Sequence, residues 1–158
     1  MPGYEPESDI EVRSAAMRLL ARREHSRVEL RIKLSQRGFT DHLVNPVLDD
    51  LETQDFLSDK RFARALISIR SQTGYGPNRI RFELTNRGVS LDVIRDAMEQ
   101  AEVDWNQCSV ELAIKRFGSS PPEDFPEWAK RARYLEQRGF DIQAIRFAIG
   151  NNEETSSV

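Results

Sequence analysis

The chain has 158 residues, a single cysteine, and 23 Lys+Arg against 26 Asp+Glu, for a formal net charge of −3. Its hydrophobic content of 39% suits a packed core rather than a disordered chain, and no apolar run approaches the ~18 residues of a membrane span. The start MPGYEPESDIEVR lacks the basic and apolar regions of a secretory signal, and a lone Cys108 excludes an internal disulfide framework or a cysteine-based zinc site, so a cytoplasmic protein without membrane contact is expected.

Ser8 with Glu11 opens the first periodic segment as a capping box, followed by Val12, Ala15, Ala16, Leu19 and Leu20 on one helical face. Ser26 with Glu29 opens a second segment, LRIKLSQRGF (30–39). Its alternation resembles a strand, but the capping box favours a helix ended by Gly38 as a left-handed cap. Thr40 then precedes Leu43, Val44, Val47, Leu48 and Leu51, again one helical face. Pro46 lies inside that run, so either the helix kinks there or Asn45 caps a later start.

The same order returns. Ser58 can cap a helix carrying Phe62, Ala63, Leu66 and Ile67. Gly76-Pro77 places a proline in the first turn of IRFELTNRGV (80–89), and Ser90 precedes Ile94 and Met98. A third copy runs from Asp104 with Gln107 through Val110, Ala113, Ile114 and Phe117, a turn-rich linker GSSPPED (118–124), RARYLEQRGF (131–140), and Asp141 before Ile145 and Ile149. Gly38, Gly88 and Gly139 are spaced 50 and 51 residues apart. The expected fold is all-α, with three-helix repeats at 9–57, 58–103 and 104–150 between disordered tails at 1–8 and 151–158.

The net charge conceals a bipolar distribution. Residues 22–37 carry a net +4 and residues 60–87 a net +6, whereas residues 41–59 carry −6 with no cation. One reading is a set of helix faces that neutralise one another; the other is a basic stripe on the second helices that meets a polyanion. Of the 23 cations 19 are Arg, the residue suited to bidentate phosphate contact and to stacking.

The sequence carries little that suggests catalytic chemistry. There is no phosphate-binding loop, and Gly74-Tyr75-Gly76 follows no strand. His25 and His42 lack metal-ligand spacing and are expected at the surface or beside a cap. Cys108 reads as a buried thiol, and Trp105 and Trp128 as core of the third repeat. Tyr75, flanked by glycines, could be exposed for stacking. No catalytic residue, metal or cofactor is expected.

LLARREHSRVELRIKLSQRGF (19–39), LSDKRFA (57–63) and YGPNRIRFELTNRGV (75–89) resemble the RecX family of recombination regulators. The resemblance spans most of 10–150 and is strongest over the first two repeats; Val89 and Pro46 are minor departures. It implies three tandem three-helix repeats forming an elongated, curved array. It also implies a monomeric non-enzyme that binds the RecA–single-stranded DNA filament, binds single-stranded and weakly double-stranded DNA alone, and mostly inhibits strand exchange, ATP hydrolysis and the co-protease activity of the SOS response. With the basic stripe, it points to Arg27, Arg31, Arg79, Arg81 and Arg87 as filament-facing, with Lys130 and Arg131 as a weaker third set. Arg22, Arg23, Arg37, Arg70 and Tyr75 complete the candidates, and the acidic stretch 41–59 would face basic recombinase loops or solvent. Two other functions fit the same helices. One is a stand-alone helix-turn-helix DNA reader, although the second helices offer few Asn, Gln or Ser for base edges. The other is an α-repeat adaptor without nucleic acid.

Overall fold

The structure is a computed structural model and describes residues 8–152. The expected tails lie outside the described residues, apart from Ser8 and residues 151–152. Among the described residues there are nine helices and no strand: α1 Asp9–Arg22, α2 Arg27–Gln36, α3 Asp41–Thr53, α4 Asp59–Gln72, α5 Pro77–Asn86, α6 Leu91–Gln100, α7 Trp105–Phe117, α8 Phe125–Gln137 and α9 Ile142–Ile149. The alternating LRIKL and IRFEL segments are helical, because capped first turns and glycine stops outweigh a short alternation.

Local chemistry sets most helix ends. Ser8, Ser26, Asp104, Asp124 and Asp141 each accept an amide hydrogen bond from the residue three places on. Ser58 and Ser90 do the same through their hydroxyls, at 3.1 and 3.3 Å. Thr40 makes no such bond, although its carbonyl accepts from Leu43 and Val44. α3 runs unbroken through Pro46, so the later start at Asn45 is not used; Pro46 is exposed and simply leaves one helical acceptor without its amide. Gly38, Gly88 and Gly139 end the second helices with φ of 95°, 78° and 102°, the left-handed cap expected of them.

By contact density the described chain divides into two compact units. The first comprises residues up to Ala65 together with Leu84–Ala97; the second comprises Leu66–Glu83 and residues from Met98 onward. In the first unit α1, α2 and α3 pack on one another around Val12, Leu19, Leu30, Leu34, Leu48 and Leu51. Fully burying one such leucine contributes roughly 1.5–3 kcal/mol. In the second unit α7, α8 and α9 do the same around Leu112, Trp128, Leu135, Phe140, Ile145 and Ile149. The Trp128 indole donates to the Gly150 carbonyl at 2.8 Å, which satisfies its polar edge beside the core.

Two expected faces are shifted. Ile114 is 49% exposed, and the inner side of α7 instead carries Trp105, Cys108, Ser109, Leu112 and Ala113. Ser109 is tolerated there because its hydroxyl donates toward the Asn106 and Ala144 carbonyls. Ile32 on α2 is exposed, so only the Val28 side of its second stripe finds a neighbour.

Each unit contains the same joint between successive second helices. In the first, the Ser26 hydroxyl at the start of α2 donates to the Arg87 carbonyl beyond α5 at 2.6 Å, and Val28 covers Gly88. In the second, the Gly76 amide at the start of α5 donates to the Arg138 carbonyl beyond α8 at 2.7 Å, and Arg79 covers Gly139.

Candidate functional site

The twelve candidate residues separate by environment. In the first unit, Arg27 is half-buried: its amide donates to Asp59 at 2.7 Å, and its guanidinium meets Asp49 at 2.8 Å and also Glu52. Burial works against its charge, but the hydrogen bonds to Glu52 and Asp49 outweigh that and hold its pKa above the usual value. Arg31 lies 3.8 Å from Asp41. Arg61, outside the expected set, bridges Glu24 at 2.8 Å and Asp55 at 3.0 Å. The acidic stretch 41–59, expected to face recombinase loops or solvent, does keep Asp41, Asp49, Glu52 and Asp55 exposed to solvent, while these carboxylates also pair with arginines of α2 and α4 in their own unit.

A second network centres on Glu29, which is buried. Arg23 donates to one carboxylate oxygen at 2.7 Å and Arg87 contacts the other. His25 beside it is also buried, and it adjoins the Ser26 cap of α2, the second of the two places expected for it. Its Nδ1 lies 3.0 Å from the Arg23 carbonyl and therefore donates; its Nε2 lies 2.9 Å from the Lys33 ammonium and therefore accepts. The imidazole is neutral in this arrangement, and burial lowers its pKa to about 4, with nearby Arg23, Lys33 and Arg87 contributing. Arg22 and Arg37 are exposed at the ends of α1 and α2.

In the second unit, Arg70 makes a fork-shaped pair with Glu83 through bonds of 2.9 and 2.8 Å, which lowers the Glu83 pKa. Tyr75 is half-buried rather than open. The Arg138 guanidinium stacks on its ring at 4.0 Å and Arg70 approaches to 6.0 Å. Arg79 and Arg81 on α5 are exposed, Arg81 donating to Asn78 at 3.2 Å. Lys130 on α8 is exposed as well. Arg131 corrects the expectation of a third outward set: it is buried, donates to Glu127 at 3.1 Å and to the Ser120 carbonyl at 2.8 Å, and lies over Phe117. It ties the 118–124 linker down, and its aliphatic stem and guanidinium plane both find partners there.

Of the twelve candidates, Arg79 and Arg81 on α5 are outward, as are Lys130, Arg22 and Arg37; outside that set Lys60 and Arg64 on α4 and Lys115 and Arg116 on α7 are exposed as well. Arg138, which the sequence reading missed, holds the Gly74 and Thr73 carbonyls at 2.9 Å each. Its place within the repeated polar-Arg-Gly motif, shared with Arg37 and Arg87, was the available signal. Among the described residues no cluster of His, Cys, Asp or Glu could hold a metal ion, and no helix is long and apolar enough to cross a membrane.

Among the described residues the fold defines an all-helical class of protein built from three-helix repeats. Three family models match it: the first three-helix domain of RecX over residues 13–51, the second over 58–98 and the third over 109–149. The chain belongs to the RecX family. It is 42% identical over 139 residues to the regulatory protein RecX of Pseudomonas putida (strain GB-1), covering 88% of this chain and 89% of that protein. It is 43% identical over 143 residues to the regulatory protein RecX of Halorhodospira halophila (strain DSM 244 / SL1), covering 90% and 89%. The crystal structure of RecX from Lactobacillus salivarius shares the fold at a TM-score of 0.75 and 20% identity, covering 95% of this chain and 97% of that one.

Proposed function

We propose that this protein binds the RecA–single-stranded DNA filament and restrains it, lowering recombinase, ATPase and co-protease activity in recombination, DNA repair and the SOS response. The observation that carries this reading is the match to all three RecX domains by a chain whose relatives are regulatory proteins. The exposed Arg79 and Arg81 supply the chemistry: planar guanidiniums on one helix can engage phosphates at a helical filament without a catalytic step. On this reading the protein is not an enzyme, works as a monomer in the cytoplasm, and binds single-stranded DNA better than duplex.

The test is the rate of ATP hydrolysis by RecA on single-stranded DNA with and without this protein. A dose-dependent fall is expected. No change in that rate at saturating protein, with RecA filaments unaltered in length, overturns the reading. A stand-alone DNA reader would instead give sequence-selective duplex binding and leave RecA untouched.

A further inference from the structure

A groove of about 590 Å³ lies wholly in the second unit, between the end of α4, the outer part of α7 and the end of α8. Its volume falls in the ~300–1,000 Å³ range of ligand clefts. Lys115, Arg116 and Arg138 line it against a single carboxylate, Glu111. None of these three cations belongs to the basic stripe legible in the sequence. Ser71, Gln72 and Thr73 add polar groups along one wall, while Leu112 and Tyr134 supply apolar surface.

Planar groups also line it: Arg116 lies over the Tyr134 ring at 5.4 Å, and Arg138, backed by Tyr75 from outside the groove at 4.0 Å, adds a second guanidinium plane. Arginine planes and tyrosine rings are surfaces on which nucleobases stack without sequence preference, while the same arginines reach the phosphates. An acidic peptide would use the cations but not the stacking faces. A duplex would not enter a cleft of this volume.

We infer that this groove binds a short stretch of single-stranded nucleic acid, with phosphates met by Lys115 and Arg116 and a base stacked beside Tyr134. Arg138 positions the groove by holding the Thr73 and Gly74 carbonyls and offers its remaining face to the strand. The inference rests on the nucleic-acid part of the function proposed above, and gives it a contact surface apart from α5.

Cys108 lines the same groove and is the only cysteine in the chain, which makes it a specific reporter. The experiment measures its alkylation rate in the full-length protein, at alkaline pH because burial raises the thiol, without ligand and with saturating oligo(dT) or poly-glutamate. Oligo(dT) is expected to slow alkylation several-fold, and Lys115→Ala with Arg116→Ala to abolish that protection. Each single variant should flatten the slope of log affinity against log salt by about 0.7. Glu111→Gln, which removes the one anion, should tighten binding. Lys115 and Arg116 are exposed, so both variants keep the fold, and circular dichroism checks this. Oligo(dT) that binds by fluorescence anisotropy yet leaves Cys108 unprotected overturns the groove while leaving nucleic-acid binding intact. Protection by poly-glutamate alone, or no oligo(dT) binding at low salt, also overturns it. Inhibition of RecA ATP hydrolysis, measured separately, judges the filament reading.

Discussion

The Gly76 amide donates to the Arg138 carbonyl at 2.7 Å, so the end of one second helix caps the start of another. The Asn78 amide adds a bond of 3.0 Å to the Gly139 carbonyl. First-turn amides have no partner inside their own helix, and here the orphan carbonyls past α8 satisfy them. The approach is so close that a Cβ on Gly76 would lie 2.5 Å from the Gly139 backbone, and one on Gly139 would lie 2.5 Å from Arg79.

That geometry separates two glycines with one sequence role. Gly139→Ala must both adopt φ near +102° and displace α5, whereas Gly38→Ala meets nothing within 4 Å. Backbone strain alone costs roughly 1–3 kcal/mol, and overpacking adds a similar amount. Chemical denaturation should therefore show Gly139→Ala destabilised by about 3 kcal/mol or more and Gly38→Ala by about 1. Equal losses would contradict the joint.

Glu29 is the buried hub of the first unit, with Arg23 and Arg87 on its two oxygens. Removing one partner of a buried pair costs ~3–5 kcal/mol, reduced here because both arginines are partly exposed, so Glu29→Gln should lose about 2 kcal/mol. Arg95→Ala, whose partners Asp92 and Asp96 are exposed, should stay within about 0.5 kcal/mol of the parent in the same assay.

His25 makes stability depend on pH. Its folded pKa, lowered to about 4 by burial, lies below the value of 6.5 in the unfolded chain. Between those values the unfolded chain takes up a proton that the folded one refuses. The contribution is thus intact above pH 6.5 and is lost as pH falls toward 4, by at most ~1.4 kcal/mol per pH unit. His25→Gln can still donate to the Arg23 carbonyl and accept from Lys33, yet does not titrate. The stability gap between parent and variant should narrow steadily from pH 6.5 to pH 4. A gap that stays constant would show that the imidazole is not buried and neutral.

On the function proposed above, the outward arginines would meet the filament while the inward ones hold the fold. Arg79→Ala with Arg81→Ala should weaken inhibition of RecA ATP hydrolysis and flatten the salt slope by roughly one unit per lost phosphate contact, with little change in stability. Arg131→Ala should instead lower stability by about 1–3 kcal/mol, because Glu127 and the Ser120 carbonyl lose a buried charged donor, and Arg27→Ala, whose carboxylate partners are exposed, by about 1 kcal/mol or less. Full inhibition by the α5 double variant would remove Arg79 and Arg81 from the interface.

The sequence by itself determined the helices and their repetition. Capping side chains, glycine stops and apolar spacing act within a few residues, so Ser26, Gly38 and the Leu43–Leu51 run could be read in place. It could not determine which cations remain outward, because pairing depends on residues far apart in the chain. Arg27 meets Glu52 across 25 positions, and Arg61 meets Glu24 across 37. The tertiary structure alone buried His25 and Arg131, placed Tyr75 under Arg138, and gathered Lys115, Arg116 and Arg138 into one groove. The net charge of −3 is thus read correctly only after folding, since ion pairing is a matter of distance and burial rather than of count.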